Sequence, residues 1–200
     1  MPNHISRFVG CSLILLIAAC ATPSRLEGQD AKTSTQPVSL AAALVLTPEF
    51  CATKSKKGTW GINQETFPVG KSACKELDPI LKTAFSSLKT VNEASGAGDA
   101  QLILTPKFVD VGATQKAFAF ASRELTVIIE WTARDKTGKT VWIETIQGSA
   151  KRHQGNLFTA GSNLKHIVQD SVKDVAEQAV TKIEASPEIA RLATEAKPAQ

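Results

Sequence analysis

The sequence predicts an α+β domain: a two-layer sandwich with an antiparallel sheet of four to five strands and two amphipathic helices on one face. Three observations carry this expectation. Two stretches repeat apolar residues at helical spacing, around residues 77–91 and 164–183. The region between them contains long runs in which apolar and polar residues alternate, as on a half-buried sheet. Two single-faced helices and a one-faced sheet can each bury what the other leaves open.

The elements follow in order. VSLAAALVLTPEF is apolar as far as Pro48 and suits a buried strand over 41–47. TWGINQETF, after the lysine-rich CATKSKKG, suggests a second strand over 59–66. In KELDPILKTAFSSLKTV, the residues Leu77, Ile80, Leu81, Ala84, Phe85, Leu88 and Val91 share one helical stripe, with Asp78 as N-cap and Pro79 at the first helical position. A start nearer Ser72 would place Pro79 inside the helix and remove a hydrogen bond. Gly96 and Gly98 mark a turn. Strands are expected over 100–111, 117–135 and 140–152. In the second of these, Leu125, Val127, Ile129 and Trp131 are out of phase with Phe118 and Phe120, which calls for a bulge near Ala121 or Ser122. Asp135-Lys136-Thr137-Gly138 is a hairpin turn. The last helix carries Leu164, Ile167, Val168, Val172, Val175, Ala176, Ala179, Val180 and Ile183, with Ser162 or Asn163 as cap and Pro187 after its end.

Ahead of this domain the chain has a different character. Arg7 and the amino terminus precede about a dozen apolar residues ending at Ala19, too few to span a bilayer, which takes about 20. That pattern reads as a secretory signal over 1–19; the alternative is an uncleaved anchor. Residues 20–37 hold a cysteine and a polar, proline-containing stretch in which Leu26 is the one large apolar side chain, so they read as a flexible tether. The expected domain spans 38–186, and the tail 187–200 is expected to form a helical turn at most and then disorder.

Ile17-Ala18-Ala19-Cys20 resembles a bacterial lipobox. The resemblance implies cleavage between Ala19 and Cys20, a thioether-linked diacylglycerol on the Cys20 sulfur and a further acyl chain such as palmitate on the new amino terminus. Two or more chains make such anchoring stable. Ala21 in the next position resembles an outer-membrane sorting signal, which implies the periplasmic face of an outer membrane. The tether, the hairpin around RDKTGKTVW and the final helix resemble the YajG-type and lipopolysaccharide-assembly-type small outer-membrane lipoproteins.

Composition narrows the function classes. Loss of the signal removes one of 23 basic residues and none of 19 acidic ones, leaving a mild positive charge and no case for nucleic acid. No P-loop, dinucleotide fingerprint, nucleophile elbow or zinc-protease motif occurs. His153 and His166 stand apart and read as solvated side chains rather than a base or ligand. Cys51 and Cys74 have no further cysteine or histidine at ligand spacing, so a metal is not expected, and an exported compartment favours a disulfide between them over two buried thiols. Lys54, Lys56 and Lys57, with Lys151 and Arg152, form two basic clusters that could meet an anionic lipid surface or stay solvated. Trp60, Trp131 and Trp142 could line a groove, but Trp131 is expected in the core and Trp142 next to it or across the hairpin. The expected role is a non-enzymatic, cofactor-free envelope accessory, joined to the membrane through Cys20 and acting on an unidentified envelope protein. Two other readings are an amphiphile-binding protein with a groove between helices and sheet, and a hydrolase without a readable motif.

Overall fold

The computed structural model describes residues 37–55, 58–60, 63–115, 122–153 and 160–196. In chain order these form β1 (Val38–Val45), α1 (Pro48–Ala52), β2 (Gly58–Trp60), β3 (Asn63–Glu65), α2 (Val69–Leu81), β4 (Phe85–Val91), a short 3-10 turn (Ala94–Ala97), β5 (Leu102–Gln115), β6 (Ser122–Asp135), β7 (Thr140–His153), α3 (Ala160–Ala185) and α4 (Pro187–Glu195). The main sheet has five strands in the order β4-β1-β5-β6-β7, and β2 pairs with β3 in a separate ribbon.

The expected α+β architecture is present, but the sheet is mixed rather than antiparallel. β5, β6 and β7 are antiparallel neighbours, whereas β1 runs parallel to both β4 and β5. The cause lies in residues 75–91. The first helix begins at Val69, and Phe85–Val91 is a strand rather than the helix's second half. Val69, Ala73, Leu77 and Leu81, four residues apart, form the buried stripe of α2. Pro79 sits in its last turn, where the missing N–H costs one bond near a helix end. Asp78 lies inside the helix and acts as a clamp instead of a cap. Its carboxylate accepts hydrogen bonds from Lys82 Nζ, at 2.6 Å, and from the Thr90 hydroxyl of β4. A helix between β1 and β4 returns the chain to its starting end, so the two strands come out parallel.

Other expectations are corrected in detail. PEFCA, read as the end of a strand, is the short helix α1, capped by the Thr47 hydroxyl accepting from Phe50 N at 3.1 Å. The single strand expected over 59–66 is the ribbon of β2 and β3. Register irregularities occur at Phe108/Asp110 and Ala133/Arg134, while Ser122 pairs in register with His153; Ala121 lies outside the described residues. α3 starts at Ala160, ahead of the Ser162 and Asn163 expected as caps. The tail expected to stay open forms α4, capped by Ser186 and held by the fully buried Ile189.

The core lies between the sheet and the helices. Leu125, Val127, Ile129, Trp131 and Ala133 of β6 meet Ile167, Val172, Val175, Ala176, Ala179 and Ile183 of α3. Each fully buried Val, Leu or Ile contributes about 1.5–3 kcal/mol of hydrophobic stabilisation. Gly148 of β7 sets how close α3 comes. A methyl group there would lie 2.6 Å from the Ser171 carbonyl oxygen and from a Val175 methyl. Ser171, also buried, donates to the carbonyls of Leu125 and Ile167. Beyond that line, α3 side chains reach the open edge of β7: Asp174 accepts from Ser149 N at 2.8 Å and Gln178 donates to the Gln147 carbonyl at 3.0 Å. These bonds occupy edge groups that would otherwise template another strand. The turn at 135–138 forms as expected, with Gly138 at φ +85° and Asp135 Oδ1 accepting from Thr137 and Lys139.

This packing predicts a sharp contrast on one helix. Val175→Asp buries an unpaired charge and should cost several kcal/mol. Lys173→Ala removes an exposed side chain 3.9 Å from Glu76 and should change stability by under about 1 kcal/mol. Thermal melts of the two variants check this, and equal losses would mean the wrong face of α3 was assigned to the core.

Candidate functional site

The described residues bring together one feature expected from sequence, the Cys51–Cys74 disulfide, with a Cα separation of 5.7 Å across 23 positions of sequence. It fastens α1 to α2. The same junction needs Gly70, because a methyl group there would stand 2.2 Å from the Phe50 carbonyl oxygen. Gly70 N also donates to the Thr53 carbonyl at 2.9 Å. Phe50 stacks on Phe108 of β5, with ring centroids 4.5 Å apart, which ties the junction to the long antiparallel half of the sheet. Ser55 continues the seam, its buried hydroxyl accepting from Phe67 N at 2.8 Å.

The remaining sequence candidates are dispersed. Ala19, Cys20, Lys56 and Lys57 lie outside the described residues. Lys54 is exposed beside a hollow of about 160 Å³ lined by Phe108, Val109, Asp110 and Val111. Arg152 is bound by Asp170 of α3, and Lys151 stands directly across from Glu124 of β6. Of the second cluster, Arg152 is therefore paired through its guanidinium, while Lys151 is exposed. His166 is exposed on α3. No group of three or more His, Cys, Asp or Glu able to hold a metal occurs among the described residues.

Trp131 is fully buried as expected, and Trp142 lies opposite Ala133, next to it on the hairpin. The Trp131 indole N–H has no hydrogen-bond partner among the described residues. One hollow, of about 310 Å³, lies between the Asp135–Thr137 turn, Gln101 and the end of α4. Another, of about 410 Å³, runs along Val141–Glu144 of β7 beneath the α3–α4 junction, where Lys182 and Glu144 pair at 2.9 Å. Among the described residues, side chains of α2 and α3 pack against the sheet in one apolar cluster. Among the described residues, no helix is long and apolar enough to cross a membrane.

Sequence reasoning missed the lysines of α2 and α3. Lys71, Lys75 and Lys165 are exposed and have no carboxylate partner among the described residues, whereas Lys82, Lys173 and Lys182 each have one. Their separation in sequence hides the grouping. The misplaced helix boundary hid it further, by leaving Lys71 in a loop.

No family model matches the chain, and no curated protein matches it. Among solved structures it is similar to a Xanthomonas campestris protein of the DUF330 family, with a TM-score of 0.50 and 8% identity over 82% of this chain and 92% of that one. It is also similar to a minor lipoprotein from Acinetobacter baumannii, with a TM-score of 0.47 and 13% identity over 75% of this chain and 94% of that one. At these identities the likeness concerns the fold alone.

Two predictions follow from the geometry. The disulfide closes a loop that, on the chain-entropy model, stabilises the fold by roughly 3–3.5 kcal/mol. The Cys51→Ala/Cys74→Ala protein should lose about that much in chemical denaturation, and the oxidised wild type should show no maleimide-reactive thiol at either position after unfolding. The second concerns acid. Burial pushes the Asp78 carboxyl up, but hydrogen bonds from Lys82 and Thr90 and the Lys82 charge outweigh it, so it lies below the ordinary carboxylate range. The Thr137 hydroxyl and then the Thr137 and Lys139 amides pull Asp135 the same way against a smaller desolvation. Depressed carboxyls contribute stability above their unfolded pKa, near 4, and lose it as pH falls through the lowered native values. Melting temperature should therefore fall below about pH 4. Asp78→Asn should be less stable at neutral pH and show a shallower acid decline.

Proposed function

We propose that the chain is a bacterial envelope lipoprotein, cleaved before Cys20 and anchored by acyl chains on that residue, with a non-enzymatic domain that acts through protein contacts in envelope assembly or transport. The observation that carries the reading is Ile17-Ala18-Ala19-Cys20 at the end of a short apolar run, followed at once by polar chain. The cysteine supplies the sulfur for the lipid, and the small residues before it admit a peptidase to extended backbone. A disulfide joining Cys51 and Cys74 is in keeping with an oxidising, exported compartment. The solid packing between sheet and helices favours a scaffold over a ligand carrier. Ala21 supports the outer membrane as the destination, and the hairpin followed by the long helix α3 supports placing the chain with the YajG-type and lipopolysaccharide-assembly-type lipoproteins.

The test is metabolic labelling. Wild-type protein should incorporate radiolabelled palmitate and migrate as the processed form, while Cys20→Ala should remain an unlabelled precursor. Equal palmitate incorporation into both would refute the assignment.

A further inference from the structure

The strand directions give the domain two distinct ends. The tether enters β1 at Val38, level with the start of β4. β1 carries the chain away from that point, and α1, the disulfide and the start of α2 lie at the far end. β7 also finishes at the far end, because it is antiparallel to β6, which is antiparallel to β5, which is parallel to β1. α3 therefore starts at the far end too, and its side chains step back along β7, from Asp170 at Arg152 through Asp174 at Ser149 to Lys182 at Glu144.

Hence α2 and α3 run in the same direction, side by side. Glu76 of α2 fixes their register, accepting from Gln169 of α3 at 3.2 Å and lying 3.9 Å from Lys173. Lys75 directly precedes Glu76 and Lys71 lies a little over one turn earlier on α2, while Lys165 and His166 lie about one turn before Gln169 on α3, all exposed. Lys54 joins the rim, one residue past the Thr53 carbonyl that holds Gly70. Neither helix has an acidic residue in its first turn, so both positive helix ends add to the same field. The acids near this group are Glu76, which meets Gln169 and Lys173, Asp170, which binds Arg152, and the exposed Glu49 of α1. On the opposite face of the sheet the charges alternate, with Lys107 beside Glu130 and Glu124 beside Lys151.

We propose that the α2–α3 face, through Lys71, Lys75 and Lys165, docks on the anionic lipid headgroups of the leaflet that holds the acyl anchor. This inference rests on lipidation of Cys20. The chain between Cys20 and Val38 is 17 residues and reaches at most about 55–60 Å, so the domain can lie helix-side down with its near end still tethered. The anchor keeps the lysines close to the surface, which turns a weak attraction into a local one. Anionic headgroups match these ammonium groups, which have no carboxylate partner among the described residues, each gaining about five- to sixfold in the docked-to-free ratio, or roughly 150-fold for three.

The experiment uses the mature lipoprotein in vesicles of phosphatidylcholine with or without phosphatidylglycerol. An environment-sensitive dye is attached at His166→Cys, on the proposed face, or at Thr126→Cys, on the other side of the sheet. The dye at 166 should be quenched by lipid-borne nitroxide when phosphatidylglycerol is present, and released by high salt or by Lys71→Glu/Lys75→Glu/Lys165→Glu. The dye at 126 should not respond, and Lys107→Glu/Lys136→Glu/Lys139→Glu should leave quenching at 166 intact. Quenching that is independent of phosphatidylglycerol, equal at 166 and 126, or unchanged by the first charge reversal would overturn the proposal. Protein that fails to float with either vesicle would instead refute the lipid anchor, which separates the two failures.

Discussion

The close approach of α3 to the β6–β7 hairpin is the constraint on which the rest of the fold depends. β5, β6 and β7 are each 14 residues long, and β1 pairs only with Leu102–Leu104 at the start of β5, level with the end of β6. Beyond that level the antiparallel half has only its helix face to bury, and α3 is the element long enough to cover it. Gly148 lets the helix backbone settle against the strand, and the buried Ser171 satisfies its own hydroxyl on the Leu125 carbonyl. The same helix then fastens the strand edge through Asp174 and Gln178. One element thus supplies both the apolar cover for the sheet and the polar closure of its edge.

The other half of the domain solves a different problem. β1 and β4 are parallel and need a crossover, and α2 provides it with a stripe of small and medium side chains. Val69 and Ala73 bury little area, so the start of α2 relies on covalent and steric fastening: the Cys51–Cys74 bond, Gly70 against the α1 backbone and Phe50 against Phe108. At its other end the Asp78 carboxylate ties helix to strand through Thr90. Disulfide and carboxylate clamp therefore hold opposite ends of one helix.

The legibility of these features in the sequence follows the physics of each segment. β6, β7 and α3 were readable because long alternation and a long helical stripe leave few other ways to bury their side chains. α2 and β4 were misread because Ala84, Phe85, Leu88 and Val91 satisfy helical spacing by coincidence, and because Asp78-Pro79 imitates a helix start. Their true assignment depends on β1 offering a parallel edge, which no local pattern records. α4 was missed because its stripe is short, with Ile189 fully buried and Leu192 and Ala193 partly so, and that burial depends on the rest of the domain. For the site, the disulfide was legible from compartment and cysteine count. The pairing of Arg152 with Asp170 required knowing that α3 runs back along β7, and the grouping of Lys71, Lys75 and Lys165 that α2 and α3 run in the same direction.

The division between a half fixed by packing and a half fixed by a disulfide and a clamp has a direct readout in native-state hydrogen exchange of the oxidised protein, followed residue by residue. If the α3–hairpin interface is the constraint that governs the fold, amides of Leu125–Ala133 and Val172–Ile183 exchange only with global unfolding and share one slowest class. Those of α4 and of the β2–β3 ribbon open locally and exchange faster. The account is contradicted if β6 amides exchange as fast as those of α4 while α1 and α2 remain the slowest, because the disulfide-bound pair would then be the stable nucleus and the hairpin its dependant.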